Sequence, residues 1–189
     1  MKKQNRTLLY LFFAAILVVA VVVLVTRNND QNQTAFLEKY QLNGLTVEEI
    51  VYKLDSTTQE DSNLRSSITS EELILTDGSQ EIRLPLPEGK FYLSFAPYLN
   101  QTHPCATHSL TTCRGELVGQ PIHALVRDDS GNVVLDAEYV TMENGFTGIW
   151  LPADISATLE VTYGDLKTSA PILTAAGSDT CLTTPLQLN

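Results

Sequence analysis

Short apolar segments separated by turn residues dominate the chain from Glu72 onward. Apolar and polar residues alternate within several of these segments, which is typical of strands with one buried face. Asp129–Asn132 and Gly164-Asp165 separate pairs of such segments and predict β-hairpin turns, and Asp77-Gly78 ends another segment with turn residues. The sequence therefore predicts a mainly β, sandwich-like domain of about seven strands over residues 72–189.

A small helical segment is expected before this domain, within residues 28–71. In "LTVEEIVYKLDS", Thr46 and Glu49 have the spacing of a helix N-cap and its capping box. The apolar residues that follow recur at helical spacing on one face: Val47, Ile50, Val51 and Leu54. A shorter helix is predicted at "AFLEKYQL". The polar stretch "RNNDQNQT" is interpreted as a tether and "STTQEDSNLRSS" as a loop.

The stretch Thr7–Thr26 contains twenty residues and no charge. A helix of that length spans the hydrocarbon core of a bilayer, about 30 Å. Three basic residues precede it and favour a cytoplasmic N-terminus. Because the stretch lacks a small-x-small cleavage site, we expect residues 1–27 to form a cytoplasmic stub and a single-pass transmembrane anchor. Secretion after cleavage of a signal peptide is the alternative.

The chain beyond Arg27 is strongly acidic. Four of the 12 Lys and Arg lie at or before Arg27, which leaves eight against all 22 Asp and Glu, a net charge of −14. Nucleic acids and anionic lipid surfaces carry phosphate charge, so this balance excludes both as partners of the outer part. An extracytoplasmic location permits disulfides, and with three cysteines at most one bridge forms within a monomer.

The segment "QTHPCATHSLTTCRGE", residues 101–116, holds two of the three cysteines and two of the three histidines. These residues are Cys105, Cys113, His103 and His108, and the third cysteine is Cys181 in "DTCLTT". Seven residues between the first two cysteines is not a sharp zinc spacing. Thiolate and imidazole together nevertheless suit soft or borderline ions such as Cu(I) and Zn(II).

Three interpretations of these residues stay open on composition alone. The first is a Cys105–Cys113 disulfide that pins a loop of a structural surface domain, which leaves Cys181 unexplained. The second is a metal site, with Glu116 and Asp179 as candidates for orienting a ligand imidazole. The third is a redox-active thiol pair. The sequence has no G-x-S-x-G, H-E-x-x-H or P-loop motif, so it gives no support for hydrolase or nucleotide-dependent chemistry.

Three stretches resemble the CueP family of extracytoplasmic copper-binding proteins involved in copper resistance. They are "FYLSFAPYLNQTHPCATHSLTTCRGEL", "NGFTGIWLP" and "DTCLTTPLQL". The order Cys-x7-Cys followed by Cys-Leu-Thr-Thr makes the resemblance specific. The resemblance implies copper ligands at Cys105, Cys113 and Cys181, with His103 or His108 in addition.

The resemblance implies a copper-handling protein rather than an enzyme. Three thiolates match Cu(I) in trigonal geometry, and zinc is the second candidate ion. The protein would sequester copper or pass it to another exported protein, and Cu(II) could oxidise two thiols and be reduced itself. A homodimer is also implied. A transmembrane anchor departs from the family, whose members are expected to be secreted or lipid-anchored.

Overall fold

The computed structural model describes residues 16–17, 30–58 and 63–189. These residues fall into two units, one ending at Gly44 and the other running Leu45–Asn189. The predicted anchor lies almost entirely outside the described residues. Within the part that is described, no helix is long and apolar enough to cross a membrane.

Helix α1 is described over residues 30–39 and belongs to the unit that ends at Gly44. It covers the predicted short helix only in part and reaches back into the polar stretch interpreted as a tether. The tether prediction is therefore wrong from residue 30 onward. Thr34 Oγ1 donates a hydrogen bond to the carbonyl of Asp30 one turn earlier, at 2.8 Å, which is a common local bond of threonine within a helix.

Helix α2, Val47–Asp55, begins at the predicted capping box. The Glu49 N–H donates to Thr46 Oγ1 at 3.2 Å, and the Thr46 N–H donates to the Glu49 carboxylate at 2.8 Å. Two backbone donors that lack a partner within the helix are thereby satisfied. The buried face consists of Ile50, Val51, Leu54 and Asp55.

Eleven strands follow in the described part of the chain, more than the seven or so predicted. They are β1 (Arg65–Ile68), β2 (Glu72–Thr76), β3 (Glu81–Pro85), β4 (Lys90–Phe95), β5 (His108–Ser109), β6 (Pro121–Asp128), β7 (Val133–Val140), β8 (Thr147–Pro152), β9 (Ser156–Tyr163), β10 (Leu166–Leu173) and β11 (Cys181–Leu182). The two-residue strands β5 and β11 are too short to show any alternation. Strand β1 lies in the segment interpreted as a loop, so that interpretation is wrong at its end.

The strands form three sheets, in the orders β3-β2-β1-β5, β10-β9-β6-β7 and β11-β4-β8. The two predicted hairpins, β6 to β7 and β9 to β10, are confirmed, and the turn residues Asp77-Gly78 join β2 to β3 in a third. Gly78, Gly131 and Gly164 adopt positive φ angles at these turns, which glycine does at little cost. The proline-containing strand β3 lies at a sheet edge, where the missing N–H of proline does not interrupt the pairing.

The main core lies between the three-stranded sheet and the β10-β9-β6-β7 sheet. Alternate residues of β4 and β8 pack against alternate residues of β6, β9 and β10, including Phe91, Phe95, Ile149, Val126 and Leu159. Each fully buried side chain of this size contributes roughly 1.5–3 kcal/mol to folding. The packing of these two sheets is sandwich-like.

Backbone pairing brings two distant segments of this unit together. Strand β11 pairs in parallel with β4, which places Cys181 opposite Ser94. Strand β5 pairs with β1 and places His108 opposite Ile68. The N–H groups of Thr180 and Cys181 both donate to the Ala106 carbonyl, at 2.9 and 3.1 Å. The segment before β5 is thereby fixed beside β11.

Candidate metal centre

Four side chains converge where the segment around β5 meets β11: Cys105, His108, Cys113 and Cys181. One donor atom from each lies within 4.8 Å of the others. His108 and Cys181 are buried, whereas Cys105 and Cys113 are half-buried. The cluster thus has a buried side and a side that a small ion can reach. Three sulfur donors and one imidazole fit Cu(I) or Zn(II) in type.

A tight turn after β5 sets the position of Cys113. Its N–H donates to the Ser109 carbonyl at 3.1 Å, and the Ser109 N–H donates to the Cys113 sulfur at 3.4 Å. Gly115, two residues on, runs against the backbone of Gly145. A Cβ atom on Gly115 would lie 2.4 Å from the Gly145 carbonyl oxygen, so only glycine allows these two loops to meet.

Cys105 and Cys181 form a disulfide across 76 residues of sequence. The alternative Cys105–Cys113 bridge is not formed, and Cys113 carries a free thiol. The reason is the placement of β11, which holds the Cα atoms of Cys105 and Cys181 5.4 Å apart. Cys113 Sγ remains 3.7 Å from Cys105 Sγ, so the three sulfurs are adjacent. All three can act as thiolate ligands only after the bridge is reduced.

The imidazole of His108 carries opposing influences on its pKa. Burial lowers the pKa of His108. The hydrogen bond to Asp55 and the neighbouring Cys113 outweigh burial and raise the pKa from 6.5 to about 9. Burial likewise raises the pKa of the Cys113 thiol, but hydrogen bonding and the positive charge of His108 hold it below the usual value. The raised pKa of His108 and the lowered pKa of Cys113 share a cause, because the charged form of each group stabilises the charged form of the other.

Asp55, at the end of α2, is fully buried beside His108. The Nε2–H of His108 donates to Asp55 Oδ1 at 2.8 Å. The sequence prediction missed this residue, which lies 53 positions before His108. One signal was present, because Asp55 continues the apolar stripe of α2 at helical spacing. A carboxylate on the buried face of a helix needs a polar or charged partner.

Glu116 does not orient an imidazole, and that prediction is wrong. Its carboxylate accepts hydrogen bonds from the N–H groups of Leu99 and Asn100 at 2.6 and 2.9 Å. It therefore organises the turn that begins the cysteine-rich segment. Asp179, the other candidate for this role, lines a cleft beside β10.

His103 is exposed and is not one of the four clustered residues. Its carbonyl accepts a hydrogen bond from Thr183 Oγ1 at 2.6 Å, and its ring centroid lies 6.4 Å from that of Phe146. The same Phe146 ring packs 4.8 Å from the ring of His108. The third histidine, His123, lies on β6 with Nε2 2.7 Å from Asp136 Oδ1, outside the cluster.

Comparison with known proteins identifies what this chain is similar to. A family model described as "Periplasmic copper-binding protein CueP" matches residues 49–187. A solved structure described as "Crystal Structure of S.CueP" is 46% identical, with a TM-score of 0.80. The match covers 83% of this chain and 97% of that chain. No curated protein matches. All four clustered residues lie within the matched range.

Proposed function

The chain belongs to the CueP family of periplasmic copper-binding proteins, and we propose that it holds copper outside the cytoplasm in the cluster of three cysteines and His108. The observation that carries this proposal is the convergence of four soft or borderline donor atoms within 4.8 Å of one another. Two of the donors, Cys105 and Cys181, are 76 residues apart in sequence, so the proposed site can form only in the folded protein.

Cu(I) is the form proposed for the bound state. Three thiolates supply the soft donors that Cu(I) favours, and zinc is the second candidate because it also binds sulfur and imidazole. Among the two histidines predicted from sequence, we favour His108 as the nitrogen ligand. Its Nδ1 lies 3.8 Å from Cys181 Sγ, whereas His103 is exposed.

Reduction of incoming Cu(II) is the finer part of the proposal. Two thiols, those of Cys105 and Cys181, would lose two electrons and two protons and form one S–S bond. Each of two Cu(II) ions would accept one electron and become Cu(I). The existence of the Cys105–Cys181 bridge supports this step, since the two sulfurs can bond without a change of fold.

We expect two equivalents of Cu(II) to lower the free thiols of the reduced protein from three to one. A Cu(I)-specific chelator should then trap two Cu(I) per chain. The matched control is the Cys105→Ser, Cys181→Ser double variant, whose single remaining thiol cannot form an internal bridge. Three thiols still titrating in the wild-type protein after Cu(II) addition would rule the redox step out.

A second candidate function, thiol-disulfide exchange, is favoured by one observation. The free Cys113 sulfur lies 3.7 Å from Cys105 of the disulfide. Attack by the Cys113 thiolate would form a Cys105–Cys113 bond and break the Cys105–Cys181 bond. The electron pair would leave on Cys181, where the Nδ1–H of His108 could supply a proton. The chain lacks the C-x-x-C motif typical of such enzymes.

Alkylation tests whether Cys113 is the nucleophile that this second function needs. In the bridged protein Cys113 is the one free thiol, so its rate can be measured alone. We expect the pH midpoint of alkylation to lie below the ordinary thiol value of 9.0, and His108→Ala to move it upward. His123→Ala is the matched control, since that histidine is outside the cluster. A wild-type midpoint at the ordinary value would remove the support for an activated thiol.

The remaining parts of the proposal concern organisation and partners. Residues 1–27 would anchor the protein, followed by a helical segment to residue 71 and the β-rich metal-binding domain over 72–189. The uncharged stretch Thr7–Thr26 supports the anchor, with secretion as the alternative. Delivery of copper to an exported client and assembly as a homodimer rest on the family alone.

A further inference from the structure

We propose that Asp55 is a positioning residue of the metal centre, whose carboxylate holds the His108 imidazole with Nδ1 facing the sulfur atoms. This inference rests on the proposed copper site and names a residue outside its four donors. Both side chains are fully buried, and the only hydrogen bond described for Nε2 joins it to Asp55 Oδ1 at 2.8 Å. The opposite ring nitrogen, Nδ1, lies 3.8 Å from Cys181 Sγ.

The hydrogen bonds around Asp55 indicate which group donates in its bond to His108. Tyr92 Oη donates to Oδ2 at 2.6 Å, and Asn144 Nδ2 donates to Oδ1 at 2.7 Å. Asn144 Nδ2 also lies 2.8 Å from the Asp55 carbonyl, which keeps the amide facing this residue. An ionised carboxylate surrounded in this way only accepts hydrogen bonds. His108 must therefore donate through Nε2–H.

A nitrogen that keeps its proton has no lone pair for a metal. With Nε2–H committed to Asp55, Nδ1 is the nitrogen of His108 that can lose its proton and bind copper. Carboxylate partners of this kind set the tautomer and orientation of ligand histidines, and their loss typically lowers metal affinity about 10–100-fold. Asp55 connects the copper site to α2, which begins at the capping box of Thr46.

Asp55→Asn tests the positioning role because an amide has the same shape and can donate as well as accept. If its NH2 group faces His108, Nε2 becomes the acceptor and the proton moves to Nδ1, the wrong nitrogen for the site. The matched variant is Tyr92→Phe, which removes a donor to the same carboxylate without touching His108. Urea unfolding of both variants establishes that they fold.

Two readouts are taken on the reduced protein. We expect Asp55→Asn to weaken Cu(I) binding about 10–100-fold in a competition titration, and Tyr92→Phe to bind close to wild type. In spectra of protein labelled with ¹⁵N-histidine and free of metal, the wild type and Tyr92→Phe should show a downfield, exchange-protected Nε2–H on His108. Asp55→Asn should lose that signal.

Two results would overturn the inference. One is wild-type affinity together with a wild-type Nε2–H signal in Asp55→Asn. The other is equal weakening in both variants with the Nε2–H signal kept, which would make Asp55 a structural residue only. Failure of wild-type protein to bind Cu(I) would instead overturn the proposed function, and the metal-free spectra would still test what Asp55 does to His108.

Discussion

We expect Cys181→Ser to lower the affinity of the reduced protein for Cu(I) by a factor of about 100 or more, about 2.7 kcal/mol. A serine hydroxyl is a hard, uncharged oxygen donor, which Cu(I) binds poorly in place of thiolate. Cys181 is 2% exposed and fixed in β11, so no other side chain can move into its place. The variant therefore leaves an incomplete donor set.

The measurement is competition for Cu(I) with a chelator of known affinity, under reducing conditions. His103→Ala is the matched control, because that imidazole comes from the same segment but is exposed and outside the cluster. It should bind close to wild type. Equal Cu(I) affinity of wild type and Cys181→Ser would favour the structural alternative, a surface β-domain whose third cysteine has no role in metal binding.

Asp55→Ala should cost about 3–5 kcal/mol of unfolding free energy near pH 6, because it breaks a buried ion pair by removing one partner. The change removes the carboxylate that accepts from three buried donors at 2.8 Å or less, His108 Nε2, Tyr92 Oη and Asn144 Nδ2. Of these, Asn144 keeps the backbone carbonyl of residue 55 as an acceptor. The protonated imidazole is the most expensive of the three to leave unpaired. This loss concerns folding and is separate from the effect of Asp55 on copper affinity.

The pH dependence of this loss has a defined sign. Burial opposes protonation of His108, but Asp55 and Cys113 outweigh it and raise its pKa from 6.5 to about 9. A raised pKa contributes stability that is fully present below about pH 6.5 and is lost as the pH rises through about 9. The difference between wild type and Asp55→Ala should therefore shrink over that window.

Urea unfolding of the bridged protein at a series of pH values measures the difference. Tyr92→Phe serves as the matched variant, with an expected loss of about 1.5–3 kcal/mol for a hydrogen bond to a charged group. Burial and the adjacent Asp55 hold the pKa of Tyr92 well above 10.0, so this loss should not depend on pH in the same window. If Asp55→Ala loses the same unfolding free energy at both ends of this pH window, Asp55 and His108 do not form a buried ion pair.

Local features of the fold were predictable because they depend on neighbouring residues. The capping box of α2 and the hairpin turns at Asp129–Asn132 and Gly164-Asp165 each involve residues within a few positions of one another. The two-residue strands β5 and β11 were not predictable in this way. Their existence depends on pairing with β1 and β4, which are far away in sequence.

The chemistry of the site was predictable in type but not in arrangement. Clustering of cysteine and histidine indicated the segment, and the resemblance to a known family indicated copper. Which histidine faces the sulfurs depends on β5, since residue 108 enters the strand and residue 103 precedes it. The bridge between Cys105 and Cys181 and the contact of Asp55 with His108 both depend on tertiary packing. Neither leaves a spacing pattern in the sequence.

The most direct test of the copper site uses the unmutated protein in its two redox states. We expect the reduced protein to bind one Cu(I) tightly against the competing chelator. We expect the bridged protein to bind Cu(I) about 100-fold or more weakly, because two of its three sulfurs are bonded to each other. Equal affinity in the two states would contradict the account, since Cys105 and Cys181 could not then be the ligands that hold the ion.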